Sequence, residues 1–240
     1  MSHMFYRTNS ISTSFGSDIS KWDTSSVTNI SSMFSYSPFS FGSNLSQWDT
    51  SIVTDMSSMF YYSSSFRGNL SKWDTSSVTD MSNVFRSSSS FGANLANWDT
   101  SSITDMSNLF QSTSNFDADI TNWDTSSVTD MSSMFYYSSS FESNTMKWDT
   151  SSVTDMSGMF LSSSSFGANL TNWDTSSIID MSHMFSSPSN FNADITNLDT
   201  SNVTDMSFIF SSFSCFGSDI SKWDTSSVVG NVHILVQLWV

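Results

Sequence analysis

The chain has 240 residues, of which 38% are hydrophobic, 15% aromatic and only 12% charged, so it carries enough apolar material for a long core and is not of the disordered class. A formal net charge of -15 argues against nucleic acid and anionic membrane surfaces as partners, because both would repel the chain. Cationic partners and metal ions are electrostatically permitted.

The first five residues, M-S-H-M-F, have the same sequence as residues 181–185. Two interpretations are open: the chain begins in the middle of a repeat, or these letters are the remnant of an expression tag. The start has no apolar run of the kind found in a signal peptide. No stretch of the sequence resembles a transmembrane span.

A W-D-T triplet recurs along the chain. It begins at Trp22, Trp48, Trp73, Trp98, Trp123, Trp148, Trp173, Leu198 (in place of tryptophan) and Trp223. The first step is 26 residues and every later step is 25. A fixed period in this range predicts a solenoid, in which each repeat buries its apolar side against its neighbours. We predict one solenoid of about nine repeats over residues 1–228, and a non-repeat apolar tail or cap over residues 229–240.

The inward residues of one repeat follow the rhythm of a leucine-rich repeat, at Leu70, Trp73, Thr75, Val78 and Met81. Side chains of a strand alternate between two faces, so Trp73 and Thr75 are predicted to point inward from a short strand. The strand should end at the following serines, whose hydroxyls bond nearby backbone groups and favour turns.

The segment T-D-M-S-N-V-F follows at residues 79–85. Threonine suits an N-cap, aspartate suits a first helical turn, and the apolar residues have i, i+3, i+4 spacing. We therefore predict a short helix, with a frayed turn where Ile179 replaces the threonine. The predicted fold class is an α/β repeat: a right-handed leucine-rich-repeat-like solenoid with one short strand and one short helix or turn in each 25-residue coil.

The pattern N-L-S-K-W-D-T-S-S-V-T-D-M-S-x-M-F, followed by a serine-rich turn and F-x-x-N/D, resembles the BspA-like surface-protein repeats. These repeats also occur in mycoplasma surface lipoproteins and are relatives of the leucine-rich repeats. The resemblance covers about residues 12–228. It implies a right-handed solenoid at the cell surface or secreted, acting in adhesion or host interaction without catalysis. The chain departs from family proteins in lacking an export signal, a lipidation cysteine near its start and an anchor.

Aspartates form two rows with the period of the repeat. One row follows each tryptophan: Asp23, Asp49, Asp74, Asp99, Asp124, Asp149, Asp174, Asp199 and Asp224. The other follows the second threonine: Asp55, Asp80, Asp105, Asp130, Asp155, Asp180 and Asp205. Neighbouring charges in a row would lie about 4.8 Å apart and repel by roughly 1 kcal/mol in water. Such a row needs something that offsets the repulsion.

Three offsets are open for the first row. Each aspartate could accept backbone N–H bonds in an Asx-turn, which is a purely structural role. Pairing with a lysine before the tryptophan is available in four repeats only, at Lys21, Lys72, Lys147 and Lys222. A divalent cation is the third, since carboxylate oxygens suit calcium; the weak candidate ligands are Asp49, Asp74, Asp99, Asp124, Asp149 and Asp174. Calcium is the one cofactor that the aspartate row suggests, and no EF-hand or nonapeptide calcium motif in the sequence supports calcium binding.

Threonines of the W-D-T triplets form a further row, from Thr24 to Thr225. Flat threonine rows on β-solenoids are a means of binding ice, so an ice-binding or cation-binding solenoid is the alternative function. The other interpretation is that this row points inward and bonds its hydroxyls between coils.

Aromatic residues recur at fixed positions. Two phenylalanine rows, beginning at Phe34 and Phe41, and a methionine row beginning at Met56 are predicted to be core. The tyrosine pairs Tyr61–Tyr62 and Tyr136–Tyr137 are predicted to be exposed and are the candidate partner contacts.

Catalysis has almost no support in the sequence. The three histidines, His3, His183 and His233, belong to no Ser-His-Asp grouping, and no phosphate-binding glycine loop is present. We therefore expect a protein without enzymatic activity, acting as an interaction or adhesion scaffold at the cell surface or outside the cell. Its expected partners are a protein or surface ligand, cationic ligands included, and copies of itself at open solenoid ends.

Overall fold

The computed structural model describes residues 1–6, 18–37, 45–64, 66, 70–89, 95–114, 120–138, 147–163, 170–187, 194–212 and 219–229. Within these ranges there is one 3-10 helix, Leu45–Gln47, and there is neither an α-helix nor a strand longer than a single bridge. The regular structure of the described residues is held instead by hydrogen bonds and ring stacks between each repeat and the next.

A parallel ladder joins successive repeats at the T-D-M segment. Its bridges pair Asn29 with Asp55, and then each aspartate of the second row with the next one as far as Asp205. Around Asp80, the N–H of Thr79 donates to the carbonyl of Thr54 at 2.9 Å, and the N–H of Met81 donates to the carbonyl of Asp105 at 3.0 Å. Each repeat is thus bonded both to the repeat before it and to the repeat after it.

The strand predicted at W-D-T is therefore misplaced. Its alternation is confirmed, because Trp73 and Thr75 are buried while Asp74 is exposed. The bridges, however, lie further along, and at W-D-T a side chain makes the inter-repeat bond: Thr75 Oγ1 donates to the carbonyl of Asp99 at 2.8 Å. The carbonyl of Thr75 accepts the N–H of Val78 at 2.9 Å, which turns the chain toward the T-D-M segment.

Backbone amides of residues 81–88 alternate between two kinds of partner. One set donates to carbonyl oxygens of the next repeat at 2.7–3.1 Å: Met81, Asn83, Phe85 and Ser87. The other set donates to carbonyls three residues back at 3.0–3.3 Å: Val84, Arg86 and Ser88. The remaining amide, of Ser82, donates to Asp80 Oδ1 at 2.9 Å. Every N–H of the segment is therefore paired, as buried backbone requires.

This alternation replaces the predicted helix, which is wrong. Asn83 and Ser87 have φ of 60° and 57°, in the left-handed region that a right-handed helix excludes. The same two positions are left-handed in the other repeats, for example at Ser133 and Tyr137. A segment this short, rich in serine, has little helical stability of its own, whereas the neighbouring repeat supplies a carbonyl to every second amide. Of the two forms predicted for this part of the coil, helix or turn, the described residues adopt the turn.

The fraying predicted at Ile179 is also wrong. The N–H of Ile179 donates to the carbonyl of Thr154 at 2.8 Å, and its own carbonyl accepts the N–H of Thr204 at 2.8 Å. The ladder is held by backbone groups, so replacing threonine removes only the side-chain bond, which measures 3.1–3.3 Å in the other repeats.

Two aromatic rows run through the core, as predicted for the first phenylalanine row. Neighbouring rings of that row, from Phe34 to Phe210, are stacked with centroids 5.8–6.1 Å apart. Successive indoles of Trp22, Trp48, Trp73 and Trp98 are stacked with centroids 6.3–6.4 Å apart. The predicted methionine row is buried as well. Of the second phenylalanine row only Phe66 is described, and it is buried.

The first residues pack as a repeat does. The N–H groups of His3 and Phe5 each donate at 3.0 Å to carbonyls of Ser31 and Met33, and the ring of Phe5 stacks on Phe34 at 5.6 Å. Of the predicted tail, residues 230–240 lie outside the described residues. Right-handed winding and the leucine-rich-repeat-like solenoid remain predictions.

Candidate interaction surface

The aspartates after the tryptophans are held in Asx-turns. Asp124 Oδ1 accepts the N–H of Ser126 at 3.0 Å and its hydroxyl at 2.6 Å. The other five candidate metal ligands have the same two bonds, at 3.0–3.1 Å and 2.6 Å: Asp49, Asp74, Asp99, Asp149 and Asp174. The structural interpretation of this row is thereby confirmed.

Hydrogen bonds from serine also favour the charged form of Asp124 and Asp49 in this row. The bonds from the side chain and then the backbone of Ser126 lower the pKa of Asp124, whereas repulsion from Asp99 raises it and is the smallest of the causes. The corresponding bonds from Ser51 lower the pKa of Asp49, and repulsion from Asp23 raises it by a smaller amount. The row is therefore not merely a line of repelling charges.

Two of the lysines that precede a tryptophan bond to an asparagine and not to an aspartate of this row. Lys147 Nζ donates to Asn122 Oδ1 at 3.3 Å, and Lys222 Nζ donates to Asn197 Oδ1 at 3.1 Å, in each case one repeat back. Lys21 and Lys222 lower the pKa of Asp18 and Asp219, which lie outside the W-D-T row, after the larger effect of local hydrogen bonds.

Within the described ranges, no group of three or more His, Cys, Asp or Glu side chains is placed to hold a metal ion. Each candidate ligand does carry a second carboxylate oxygen in addition to the one bonded to serine. Calcium binding by this row stays a prediction.

Two threonine rows have opposite environments. The W-D-T row is buried from Thr24 to Thr200, and each of its hydroxyls donates to the aspartate carbonyl of the next repeat at 2.8–2.9 Å. This confirms the inward interpretation of that row. The T-D-M row is exposed: Thr28, Thr54, Thr79, Thr104, Thr129, Thr154 and Thr204. The sequence predicts these threonines as helix caps and gives no sign that they form an exposed row.

The tyrosine pairs lie on one surface with other residues that differ between repeats. We define the variable strip as the residues at the second, fifth and sixth positions after Met81 and after the residues that correspond to Met81 in the other repeats. Its described members are His3, Tyr6, Ser32, Ser35, Tyr36, Ser58, Tyr61, Tyr62, Asn83, Arg86, Ser87, Asn108, Gln111, Ser112, Ser133, Tyr136, Tyr137, Gly158, Leu161, Ser162, His183, Ser186, Ser187, Phe208, Ser211 and Ser212. No aspartate or glutamate is among them.

Contacts between the three positions show that they lie side by side, although Ser35, Gln111 and Ser186 are buried. Within a repeat, Arg86 Nη1 donates to Asn83 Oδ1 at 3.1 Å, and the guanidinium lies 5.4 Å from the ring centre of Tyr61 in the repeat before. The rings of His183 and Phe208 stack at 5.0 Å across two repeats. Residues far apart in sequence are thus neighbours along the strip.

The structure brings the predicted tyrosines into two clusters. Tyr36 stacks on Tyr62 with centroids 5.0 Å apart and meets Tyr61 edge-on at 5.0 Å. Tyr136 and Tyr137 lie 4.5 Å apart. Tyr62 and Tyr137 are exposed, at 51% and 56%, as predicted. Their partners Tyr61 and Tyr136 are half-buried, contrary to the prediction that both members of each pair are exposed.

Burial raises the pKa of the two half-buried tyrosines. Desolvation raises the pKa of Tyr61 to about 12, assisted by a hydrogen bond with Tyr36. Desolvation likewise raises the pKa of Tyr136. The phenols of Tyr61 and Tyr136 are therefore neutral at physiological pH.

The fixed period, the parallel ladder and the ring stacks define a tandem-repeat protein. The sequence model of the DUF285 family, described as Mycoplasma protein of unknown function, matches residues 1–94, 79–175 and 162–237. The chain belongs to this family. No curated protein and no solved structure matches it. Among the residues that the structure describes, no helix has the length and hydropathy needed to cross a membrane.

Proposed function

We propose that the chain is a non-catalytic interaction and adhesion scaffold, displayed at a cell surface or secreted, and built as a right-handed solenoid of the BspA-like, leucine-rich-repeat-related kind. The resemblance described above supports the surface location and the solenoid. Adhesion is an expectation from that resemblance, which the family's description leaves open.

One observation carries the proposal. Residues common to the repeats are used internally: tryptophan, phenylalanine and methionine fill the core, and threonine and aspartate hold the bonds between and within repeats. Residues that differ between repeats lie side by side on the variable strip. A scaffold that holds variable side chains on a regular frame is suited to recognition, since function usually lies on sites carried by a fold.

Binding of the full chain to a panel of immobilised extracellular-matrix glycoproteins tests this function. We expect saturable binding to at least one of them, weakened when Tyr62 and Tyr137 are both replaced by serine. Serine is a native residue at the corresponding position of other repeats, as at Ser87 and Ser112, so the frame should be retained. A matched control replaces Ile52 and Ile179 by alanine. These two side chains are exposed at 42% and 50% and lie outside the strip. Absence of binding across the panel would contradict the proposal.

The W-D-T threonines from Thr24 to Thr200, for which ice binding was predicted, are buried and offer no ice-binding surface. Ice binding is a second candidate function for a different row, the exposed threonines of the T-D-M segments. This row follows the parallel ladder from Thr28 to Thr204, with rungs about 4.8 Å apart. Its hydroxyls donate to carbonyls of the previous repeat at 3.1–3.3 Å, which orients them regularly. Thermal hysteresis of a millimolar solution, abolished by Thr104→Tyr, would support ice binding. A solution without hysteresis would exclude it.

A further inference from the structure

Exposed aromatic side chains among the described residues are confined to the variable strip. Those with the largest exposed fractions are Tyr6 at 40%, Phe208 at 47%, Tyr62 at 51% and Tyr137 at 56%. The other exposed large side chains are aliphatic and lie elsewhere: Met1, Met4, Ile52, Ile179 and Val229. Aromatic rings that stay in water on a chain with an ample core are typical of recognition surfaces.

Three aromatic groups of the strip are three repeats apart, and Tyr6 and Tyr36 extend the first of them toward the start of the chain through ring contacts. Tyr61 and Tyr62 belong to the repeat that begins at Trp48, Tyr136 and Tyr137 to the repeat that begins at Trp123, and Phe208 to the repeat that begins at Leu198. Each group is therefore three repeats from the next, or about 14 Å at the rung spacing of a ladder. A line of aromatic platforms that extends over many repeats fits an elongated ligand better than a compact one.

Polar, uncharged side chains predominate between the first two groups, and Leu161 lies between the second and the third. Between the first two groups lie Asn83, Ser87, Asn108 and Ser112, which offer amide and hydroxyl groups as hydrogen-bond donors and acceptors. Arg86 is the one charged side chain among the described members of the strip. Aromatic faces alternating with such groups match a sugar chain, whose rings have apolar C–H faces and polar hydroxyl edges.

Charge separates this ligand from others. A polyanion would be repelled by the net charge of -15, and a polycation would be drawn to the aspartate rows rather than to an acid-free strip. A neutral polymer meets neither effect. We propose that the variable strip binds a neutral linear polysaccharide, with sugar rings stacked on the tyrosine clusters; this inference rests on the scaffold function proposed above and names its ligand class.

Native gel electrophoresis of the full chain tests this ligand directly. The gels contain hydroxyethyl cellulose, glucomannan or soluble starch, with heparin as the anionic comparison. We expect retardation in at least one neutral gel and none in heparin. Replacing Tyr62 and Tyr137 by serine should raise the Kd at least tenfold, replacing both by phenylalanine should preserve binding because the rings remain, and replacing Ile52 and Ile179 by alanine should leave it unchanged.

Three outcomes would overturn the inference: no retardation in any neutral gel, equal retardation of the serine variant, or retardation confined to heparin. Circular dichroism with a melting curve establishes that the variants are folded. If the double serine variant does not fold, the single variant Tyr137→Ser serves in its place with the same expected direction. Binding to matrix glycoproteins without retention in neutral gels would overturn the polysaccharide and leave the scaffold function standing.

Discussion

Two residues of each turn segment adopt a left-handed backbone, and few of them are of a type that favours it. Asparagine, histidine and glycine, as at Asn83, His183 and Gly158, are the types most often found in this conformation, whereas serine, tyrosine and phenylalanine are not. A left-handed conformation costs an ordinary residue about 1–2 kcal/mol. The surrounding hydrogen bonds must offset this cost in every repeat.

Substitution at these positions should therefore change stability in a predictable direction. Ser133→Gly should stabilise the chain by about 1 kcal/mol, because glycine accepts the φ of 53° without strain. Gly158→Ala should destabilise it by a similar amount, since φ is 60° there and the new Cβ would lie 3.1 Å from Ser133 Oγ. Unfolding in urea measures both changes.

Ser132→Gly is the matched control, because Ser132 is not left-handed and glycine there only increases the freedom of the unfolded chain. That variant should be less stable than the parent protein. Equal effects at Ser132 and Ser133 would contradict the argument from backbone strain.

The aspartate of an Asx-turn allows a second prediction. Asp124→Asn should be mild, since the amide oxygen still accepts both bonds from Ser126, as Asn29 accepts bonds from Ser31 at 2.9 and 2.8 Å. Asp124→Ala removes the acceptor and should cost about 1 kcal/mol, as for a lost cap. If asparagine proved as damaging as alanine in urea unfolding, the carboxylate would have a role beyond the turn, and calcium binding would regain support.

At the scale of the element, the tryptophan row is held by packing and by one directed bond. The indole of Trp123 is buried, and its Nε1–H donates to the carbonyl of Leu95 at 3.3 Å. Phe110 stacks against it with centroids 5.9 Å apart. A side chain in this position therefore supports three repeats at once.

Trp123→Ala should destabilise the chain by about 3–5 kcal/mol, as large truncations in a core do. Trp22→Ala should cost less, because that indole is only partly buried against the core. Thermal or urea unfolding of the two variants gives the comparison. A loss at Trp123 no greater than that at Trp22 would contradict the central position of the row.

The sequence was sufficient for the parts of each element that depend on burial. Trp73, Thr75 and Phe85 were placed correctly in the interior because apolar residues recur at a fixed period. The choice between helix and turn was not decided by the sequence, since serine is the commonest of the left-handed residues and no sequence signal there distinguishes a turn from a short helix. Only Asn83, Asn108 and Gly158 give a hint, and it becomes visible when the repeats are compared.

At the scale of the whole molecule, the first aspartate row makes stability depend on pH. Hydrogen bonds from the following serine lower the pKa of these carboxyls below the unfolded value of 3.8: Asp23, Asp49, Asp99, Asp124, Asp174 and Asp224. A carboxyl with a lowered pKa stabilises the folded state above its unfolded pKa, and this contribution is lost as the pH falls through the folded pKa.

We therefore expect Tm to be steady from pH 7 to about pH 5 and to fall once the pH drops below about 4. Circular dichroism melting curves at fixed ionic strength measure this. A Tm that rises on acidification would show that repulsion within the rows outweighs the serine bonds.

The variable strip illustrates what a whole-molecule view adds to sequence patterns. Tyr62 and Tyr137 were predicted to be exposed, and that prediction is confirmed. The absence of acids along the strip, and the contact between Tyr36 and Tyr62, depend on which positions of different repeats meet. The sequence contains that information only once the geometry of the turn is known.

The alternating amides of the turn segment also give the molecule a polarity along its stacking direction. In each of the peptide units that end at Met81, Asn83, Phe85 and Ser87, the carbonyl accepts from the repeat before and the N–H donates to the repeat after. Their dipoles therefore align head to tail from one repeat to the next, as peptide dipoles do within an α-helix. The bonds from the N–H groups of Thr79 and Asp80 to the carbonyl of Thr54 run the other way.

Aligned in this sense, the N–H groups point toward the later repeats, so the positive pole lies at the end nearest Phe210 and the negative pole at the end nearest Phe5. The two ends of the stack thus differ in sign although the repeats are nearly identical in sequence. Contact from positive pole to negative pole is the orientation that this polarity favours between two such stacks, and a contact of this head-to-tail kind does not close into a pair.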